Sequence, residues 1–316
     1  MSSAPLPLDV AAALGDEFDY VAPPAQLERA EFLARASSAD ALITLLTEPV
    51  DSEVFDACPG LKIVANCAVG FDNVDVAEAT RRGVIVTNTP GVLTDATADF
   101  AFALLLGAAR RLVEGDRMVR GGDWTGWKPT ELLGATVSGQ TLGIVGMGRI
   151  GRAVARRAAG FGMRVIYAGR SGSTGKDDSD GAQAVDLDGL LAQADFVSIH
   201  CPLTPETHHL IDGSALAAMK PSAVLVNTAR GPIVDEAALV AALAEGEIAA
   251  AGLDVFEAEP QVHPGLRASD RVVLAPHAGS ATTVTRGLMA TMCTDAIKAV
   301  MGGRRPSHVV NPEVYA

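Results

Sequence analysis

Along almost the whole chain, short apolar runs bounded by turn residues alternate with stretches whose apolar positions recur at helical spacing. Residues 42–46, 61–67 and 84–87 read as buried strands of a parallel sheet in a first α/β unit. From Asp95, Phe100, Leu104, Leu105 and Ala108 keep helical spacing without a proline, which predicts one long connecting helix over 95–119. The Gly- and Trp-rich stretch 121–129 then predicts an exposed arm. From Thr141 the alternation restarts, with strands expected at 142–145, 164–167, 196–200, 223–227, 248–254 and 272–275. Six strands with intervening helices make a doubly wound sheet. Residues 171–180 are polar and read as a loop, 280–301 as a closing helix, and the tail is expected to return to the first unit. The pattern therefore predicts an α/β protein of two Rossmann-like domains with doubly wound parallel sheets. A nucleotide domain, 99–283, is inserted in a substrate domain made of 1–98 and 284–316.

Composition narrows the function. With 316 residues, 48% of them hydrophobic, there is material for two cores. A net charge of -13 disfavours phosphate backbones and anionic lipids, so neither nucleic acid nor membrane is expected as a partner. Cys58, Cys67, Cys201 and Cys293 are scattered without a C-x-x-C pair, as in reduced proteins of the cytoplasm, and neither disulfides nor a metal site is indicated. The first nine residues lack the basic and apolar segments of a signal peptide.

Gly146-Met147-Gly148-Arg149-Ile150-Gly151 follows an apolar strand and opens a helix, the context that a dinucleotide fingerprint requires. The first glycine permits the turn, the second admits the pyrophosphate, and the third lets helix and strand approach. The next strand runs into Ala168-Gly169-Arg170-Ser171, where an NAD enzyme places an acid for the ribose hydroxyl. Arg170 and Ser171 instead suit a 2′-phosphate, which favours NADP(H), with NAD(H) still possible; a solvated loop arginine is the alternative.

Reducing a 2-oxo acid needs a cation for the carboxylate, a proton donor for the developing alkoxide and a group that keeps the donor charged. Arg230, His277 and Glu259 each follow the carboxyl end of a predicted strand, where open α/β sheets bind ligands. A carboxylate beside His277 favours the imidazolium. Any one of these residues alone would more often be structural; their coincidence at three strand ends argues for catalysis.

These motifs, with His200-Cys201-Pro202-Leu203-Thr204-Pro205-Glu206-Thr207, Asn227-Thr228-Ala229-Arg230-Gly231, the run from Gly252 to Pro260 and Pro276-His277-Ala278-Gly279, resemble the signatures of the D-2-hydroxyacid dehydrogenases. The resemblance implies that Arg230, Glu259 and His277 are catalytic and that Asp254 contacts the nicotinamide. It implies cofactor contacts at Gly146, Gly148, Arg149, Ile150, Gly151, Cys201, Pro202, Thr207, Thr228, Ala229 and Gly279. Ala65-Asn66-Cys67-Ala68-Val69-Gly70-Phe71-Asp72 is similar to the family's carboxylate-binding loop, which points to Val69 and Gly70; a strand-end turn without a ligand is the other reading. Trp124 to Pro129 and Tyr167 to Arg170 are similar to the glyoxylate/hydroxypyruvate reductase branch, which is NADPH-preferring and homodimeric. There a tryptophan of the arm reaches the partner's site, a role implied for Trp127, though both tryptophans would also suit plain packing at a dimer contact.

Leu45, Leu46 and Trp127 are expected to border the pocket, their bulk favouring a small 2-oxo acid over a branched or aromatic one. His208 and His209 read as solvated loop residues. Phosphoglycerate dehydrogenase is disfavoured because no regulatory domain follows the closing helix, and formate dehydrogenase because Arg170 replaces the acid. From another class, a nucleotide-sensing corepressor of the same fold would be told apart by negligible turnover.

Overall fold

The computed structural model describes residues 1–169 and 181–316. Arg170 and Ser171, and with them the expected 2′-phosphate contact, lie outside the described residues. The chain divides into one unit of Met1–Leu93 with Ser280–Ala316 and a second of Thr94–Gly279.

In the first unit, β1 (Ala41–Thr44), β2 (Ile63–Asn66) and β3 (Ile85–Thr87) form a parallel sheet with β2 central. Single bridges extend its edges, Ser2 beside Ile43 and Val309 antiparallel to Thr87. Phe32, Leu42, Phe55, Val64 and Val86 fill the core. The tail is fastened by Asn311, fully buried, whose side chain accepts the Val86 N–H at 2.8 Å and donates to the Val84 carbonyl at 2.9 Å.

The second unit carries β4 (Thr141–Val145), β5 (Arg164–Ala168), β6 (Gln183–Ala184), β7 (Phe196–Ile199), β8 (Val224–Asn227), β9 (Ala250–Leu253) and β10 (Val272–Leu274). All pairings are parallel, in the order β10-β9-β8-β7-β4-β5-β6, so the order reverses at β4, as in a doubly wound sheet. The two-residue β6 at the edge was not among the expected strands. Side chains alternate between two cores: Phe196, Val224 and Val226 point to one face, Val197, Leu225 and Ile199 to the other. Burial on both faces is why these strands read as continuous apolar runs.

The expected single helix over 95–119 is two helices, Thr94–Ala109 and Leu112–Gly121. The chain breaks at Arg111, which takes a left-handed φ of 51° and turns its guanidinium to Glu114 at 2.7–2.8 Å. The Ala109 carbonyl, which would have continued the helix, accepts the Ala135 N–H of the returning arm at 2.8 Å. The closing helix is Thr283–Met301, since the Thr282 side chain caps it by accepting the Thr285 N–H at 3.0 Å. The unit boundaries accordingly fall a few residues before 98/99 and 283/284. Among the described residues no helix is long and apolar enough to cross a membrane.

Candidate active site

β8, β9 and β10 lie side by side in register, Asn227 opposite Leu253 and Leu253 opposite Leu274, so the turns after them start at one level. After β8, buried Asn227 accepts the Ala229 N–H at 3.0 Å and donates to the Arg230 carbonyl at 2.8 Å, which fixes the turn that presents Arg230. Gly231 then lies directly on the segment after β9: a Cβ there would stand 1.9 Å from the Phe256 carbonyl carbon and oxygen. Only a residue without a side chain allows that approach.

Glu259 accepts the Phe256 N–H through Oε1 at 3.0 Å, and its Oε2 meets His277 Nδ1 at 2.9 Å. Both side chains are about a quarter exposed. Burial pushes the Glu259 carboxyl up, but the hydrogen bond and charge of His277, the Phe256 N–H and the charge of Arg230 outweigh it and hold the group below its ordinary range. With Nδ1 tied to a carboxylate, Nε2 is the ring atom that can deliver a proton outward.

His277 sits in the left-handed region at φ 51°. Its N–H donates to the Asp254 carbonyl at 2.8 Å, while the next two N–H groups, of Ala278 and Gly279, donate to Asp254 Oδ1 at 2.6 Å and Oδ2 at 2.8 Å. Asp254, expected to contact the nicotinamide, is buried and spends both oxygens holding the histidine turn. Burial, the leading influence, raises its carboxyl above the ordinary value.

At the end of β4, Gly146 has φ 98°, and a Cβ on it would come within 2.5 Å of the Cys201 backbone nitrogen. A Cβ on Gly151 would stand 2.4 Å from the Gly146 carbonyl, so loop, helix Arg149–Ala159 and the β7 end pack backbone to backbone. Gly148 differs, with nothing within 4 Å of its Cβ position. That open approach to a helix N-terminus, and the buried Thr228 hydroxyl, which has no hydrogen-bond partner among the described residues, fit a dinucleotide. Arg149 is exposed and Ile150 half-buried at the same helix start. Thr207 instead uses its hydroxyl internally, donating to the Pro202 carbonyl at 2.7 Å and accepting the Thr204 N–H at 2.8 Å. Burial pushes the Cys201 thiol up to about 11, so it stays protonated, and the side chain packs against the core of the sheet.

In the first unit, the Val69 carbonyl accepts from Asn88 Nδ2 at 2.7 Å and the Gly70 carbonyl from Asn66 Nδ2 at 2.9 Å. A trans peptide points its N–H opposite its carbonyl, so the N–H groups of Gly70 and Phe71 face away from those asparagines. Leu45, half-buried, follows β1. Asn66 and Asn88, which set this loop, were not singled out from sequence, because the sequence does not show which backbone carbonyl an asparagine side chain will reach. In the second unit Trp127 is 83% exposed on the irregular arm. His209, expected to be merely solvated, bonds Glu257 Oε1 through Nε2 at 2.5 Å and stacks on His208.

A glycine loop at the turning point of a doubly wound sheet, beside an imidazole–carboxylate pair and an arginine at neighbouring strand ends, defines a nicotinamide-dependent dehydrogenase fold. Residues 102–279 match the family model described as D-isomer specific 2-hydroxyacid dehydrogenase, NAD binding domain. A glyoxylate reductase of Korarchaeum cryptofilum is 55% identical over 285 residues, 89% of this chain and 86% of that protein. The crystal structure of a protein from Thermus thermophilus superposes with a TM-score of 0.92 at 46% identity, covering 98% of both chains. That of an NADPH-dependent glyoxylate/hydroxypyruvate reductase from Sinorhizobium meliloti, in complex with NADP and malonate, gives 0.81 at 38% identity over 89% of this chain and 86% of that one. The chain belongs to the D-isomer specific 2-hydroxyacid dehydrogenases.

Proposed function

We propose that this protein reduces a small 2-oxo acid, glyoxylate or hydroxypyruvate, to the D-2-hydroxy acid, with His277 as proton donor, Glu259 as its partner and Arg230 as the cation for the substrate. The observation that carries the reading is the 2.9 Å contact between His277 Nδ1 and Glu259 Oε2, reached from two adjacent strand ends. A bound nicotinamide nucleotide supplies the hydride for the carbonyl carbon. His277 Nε2 gives its proton to the carbonyl oxygen, and Glu259 stabilises the imidazolium before that transfer. The Arg230 fork suits a carboxylate or a polarised ketone. In the first unit, the backbone at Val69 and Gly70 is proposed for carboxylate binding, with Leu45 bordering the substrate. Gly148, between the closely packed Gly146 and Gly151, would admit the pyrophosphate to the helix N-terminus, and Thr228 would turn its hydroxyl to the dinucleotide.

NADPH is proposed as the preferred reductant, because Arg170 and Ser171 stand in the sequence where an acid would select NAD. The S. meliloti relative is NADPH-dependent. The four free cysteines suit the reducing cytoplasm, and the exposed Trp124, Trp127 and Leu133 suit the contact of a homodimer. Nicotinamide absorbance, followed with NADPH and NADH against glyoxylate, hydroxypyruvate, pyruvate and phenylpyruvate, tests the reading. Fast NADPH oxidation with the two small acids, lost in His277→Ala, is expected. Preference for phenylpyruvate would overturn the substrate, preference for NADH the Arg170 argument, and an undiminished His277→Ala enzyme the proton donor.

A further inference from the structure

Glu236, in the first turn of helix Glu236–Glu245, is a carboxylate only 6% exposed. Its Oε1 accepts the Glu257 N–H at 2.7 Å and its Oε2 accepts the His263 N–H at 3.2 Å. Among the described residues it has no ion-pair partner. The two inward N–H groups meet different oxygens, which suits a carboxylate, whereas a glutamine would turn its NH2 donor toward one of them. The start of a helix is also where a carboxylate is electrostatically favoured.

The two N–H groups that Glu236 holds flank Glu259, on the irregular segment between β9 and the short helix Pro264–Ala268. The orientation of Glu259 toward His277 depends on that segment, because its other oxygen is bonded to the Phe256 N–H. A second strap lies alongside, where Glu257 Oε1 meets His209 Nε2 at 2.5 Å. We propose that Glu236 is a positioning residue for the proton-donating pair, a carboxylate that touches neither substrate nor cofactor and acts through Glu259. The proposal rests on the reading of Glu259 and His277 as that pair.

The test is a double-mutant cycle of Glu236→Gln and Glu259→Gln, in kcat for glyoxylate reduction, with the alkaline limb of the pH profile read for each enzyme. Glu236→Gln is nearly isosteric and is expected to lower kcat by about 10–100-fold, the rate equivalent of leaving one buried main-chain N–H without its acceptor. The KM for NADPH should stay within about twofold, and the alkaline limb should shift, because the partner of the proton donor is held less firmly. If Glu236 acts only through Glu259, the double variant is no slower than Glu259→Gln alone. Independent, multiplying effects, or an unchanged pH limb in Glu236→Gln, would overturn the proposal while leaving the acid pair intact. An undiminished Glu259→Gln enzyme would remove the acid-pair reading and this proposal with it. Hydrogen exchange in the unaltered protein gives a check free of folding defects: the Glu257 and His263 amides should be protected, and rapid exchange at both would exclude the clamp.

Discussion

Replacing Gly148 by alanine should weaken nucleotide binding while leaving stability nearly unchanged. The residue has φ -83° and ψ -160°, an extended conformation open to any residue, and nothing lies within 4 Å of the added methyl group. Alanine there gains about 0.4–1 kcal/mol by reducing the freedom of the unfolded chain. The residue is also the N-cap of its helix, where alanine is less favourable than glycine by a similar amount, so Tm should move by no more than about 2 °C. The same methyl group projects from the loop that has to admit a pyrophosphate, where the backbone approach depends on a bare Cα. A tenfold loss of affinity corresponds to about 1.4 kcal/mol, and at least that is expected for NADPH. Thermal unfolding without nucleotide and a fluorescence titration with NADPH measure the two effects separately. Unaltered NADPH affinity in a stable variant would show that the open side of Gly148 is not where the dinucleotide lies, and the cofactor assignment of the whole loop would fall with it.

Gly231→Ala should behave differently, since its Cβ would lie 1.9 Å from main-chain atoms of Phe256 that have nowhere to go. We expect a stability loss of about 1–3 kcal/mol and at least a ~100-fold fall in kcat/KM, from separation of Arg230 and Glu259; a variant within a few-fold of the parent activity would refute that packing argument. His200 supplies a pH test of stability: burial depresses its imidazole from 6.5 to about 4, with Nε2 against Ser198 Oγ at 2.8 Å. The unfolded chain therefore binds a proton that the folded one refuses, so this contribution is present above pH 6.5 and lost as pH falls toward 4. Because the ring is only partly shielded from solvent, we expect a loss of about 1–2 kcal/mol. Comparison of Tm at pH 7.5 and 5 should show a smaller drop in His200→Asn, and an equal drop would place the acid sensitivity elsewhere.

β7, β8 and β9 were legible because they are buried on both faces and so read as largely apolar runs; the expected limits overshoot by up to two residues at an end, and those of β1, β4 and β5 each miss one residue of the ladder. The break at Arg111 was not legible, since it depends on Ala135 capturing the Ala109 carbonyl from 26 positions away. β6 escaped because two residues carry no period. In the candidate site, Arg230, Glu259 and His277 could be found from their places after strand ends, which is a property of local order. Glu236 could not: its sequence neighbours read as an ordinary helix start, and only the fold brings the N–H groups of residues 257 and 263 to it. Asp254 shows the intermediate case, since its position was readable but its bonds to the N–H groups of Ala278 and Gly279 were not.

The fastening of β3 by Asn311, 225 positions later, sets a timetable for synthesis. At about 5–20 residues per second, a nascent chain carries β3 for about 10–45 s before that asparagine has been made. The second unit, continuous in sequence, can close in the meantime; the first cannot. Throughout that interval the Val86 N–H and the Val84 carbonyl stand on an unprotected strand edge, able to pair with any other extended chain. Crowding among ribosomes on one message therefore threatens the first hundred residues more than the nucleotide-binding body, and slow translation of the final segment lengthens the exposure.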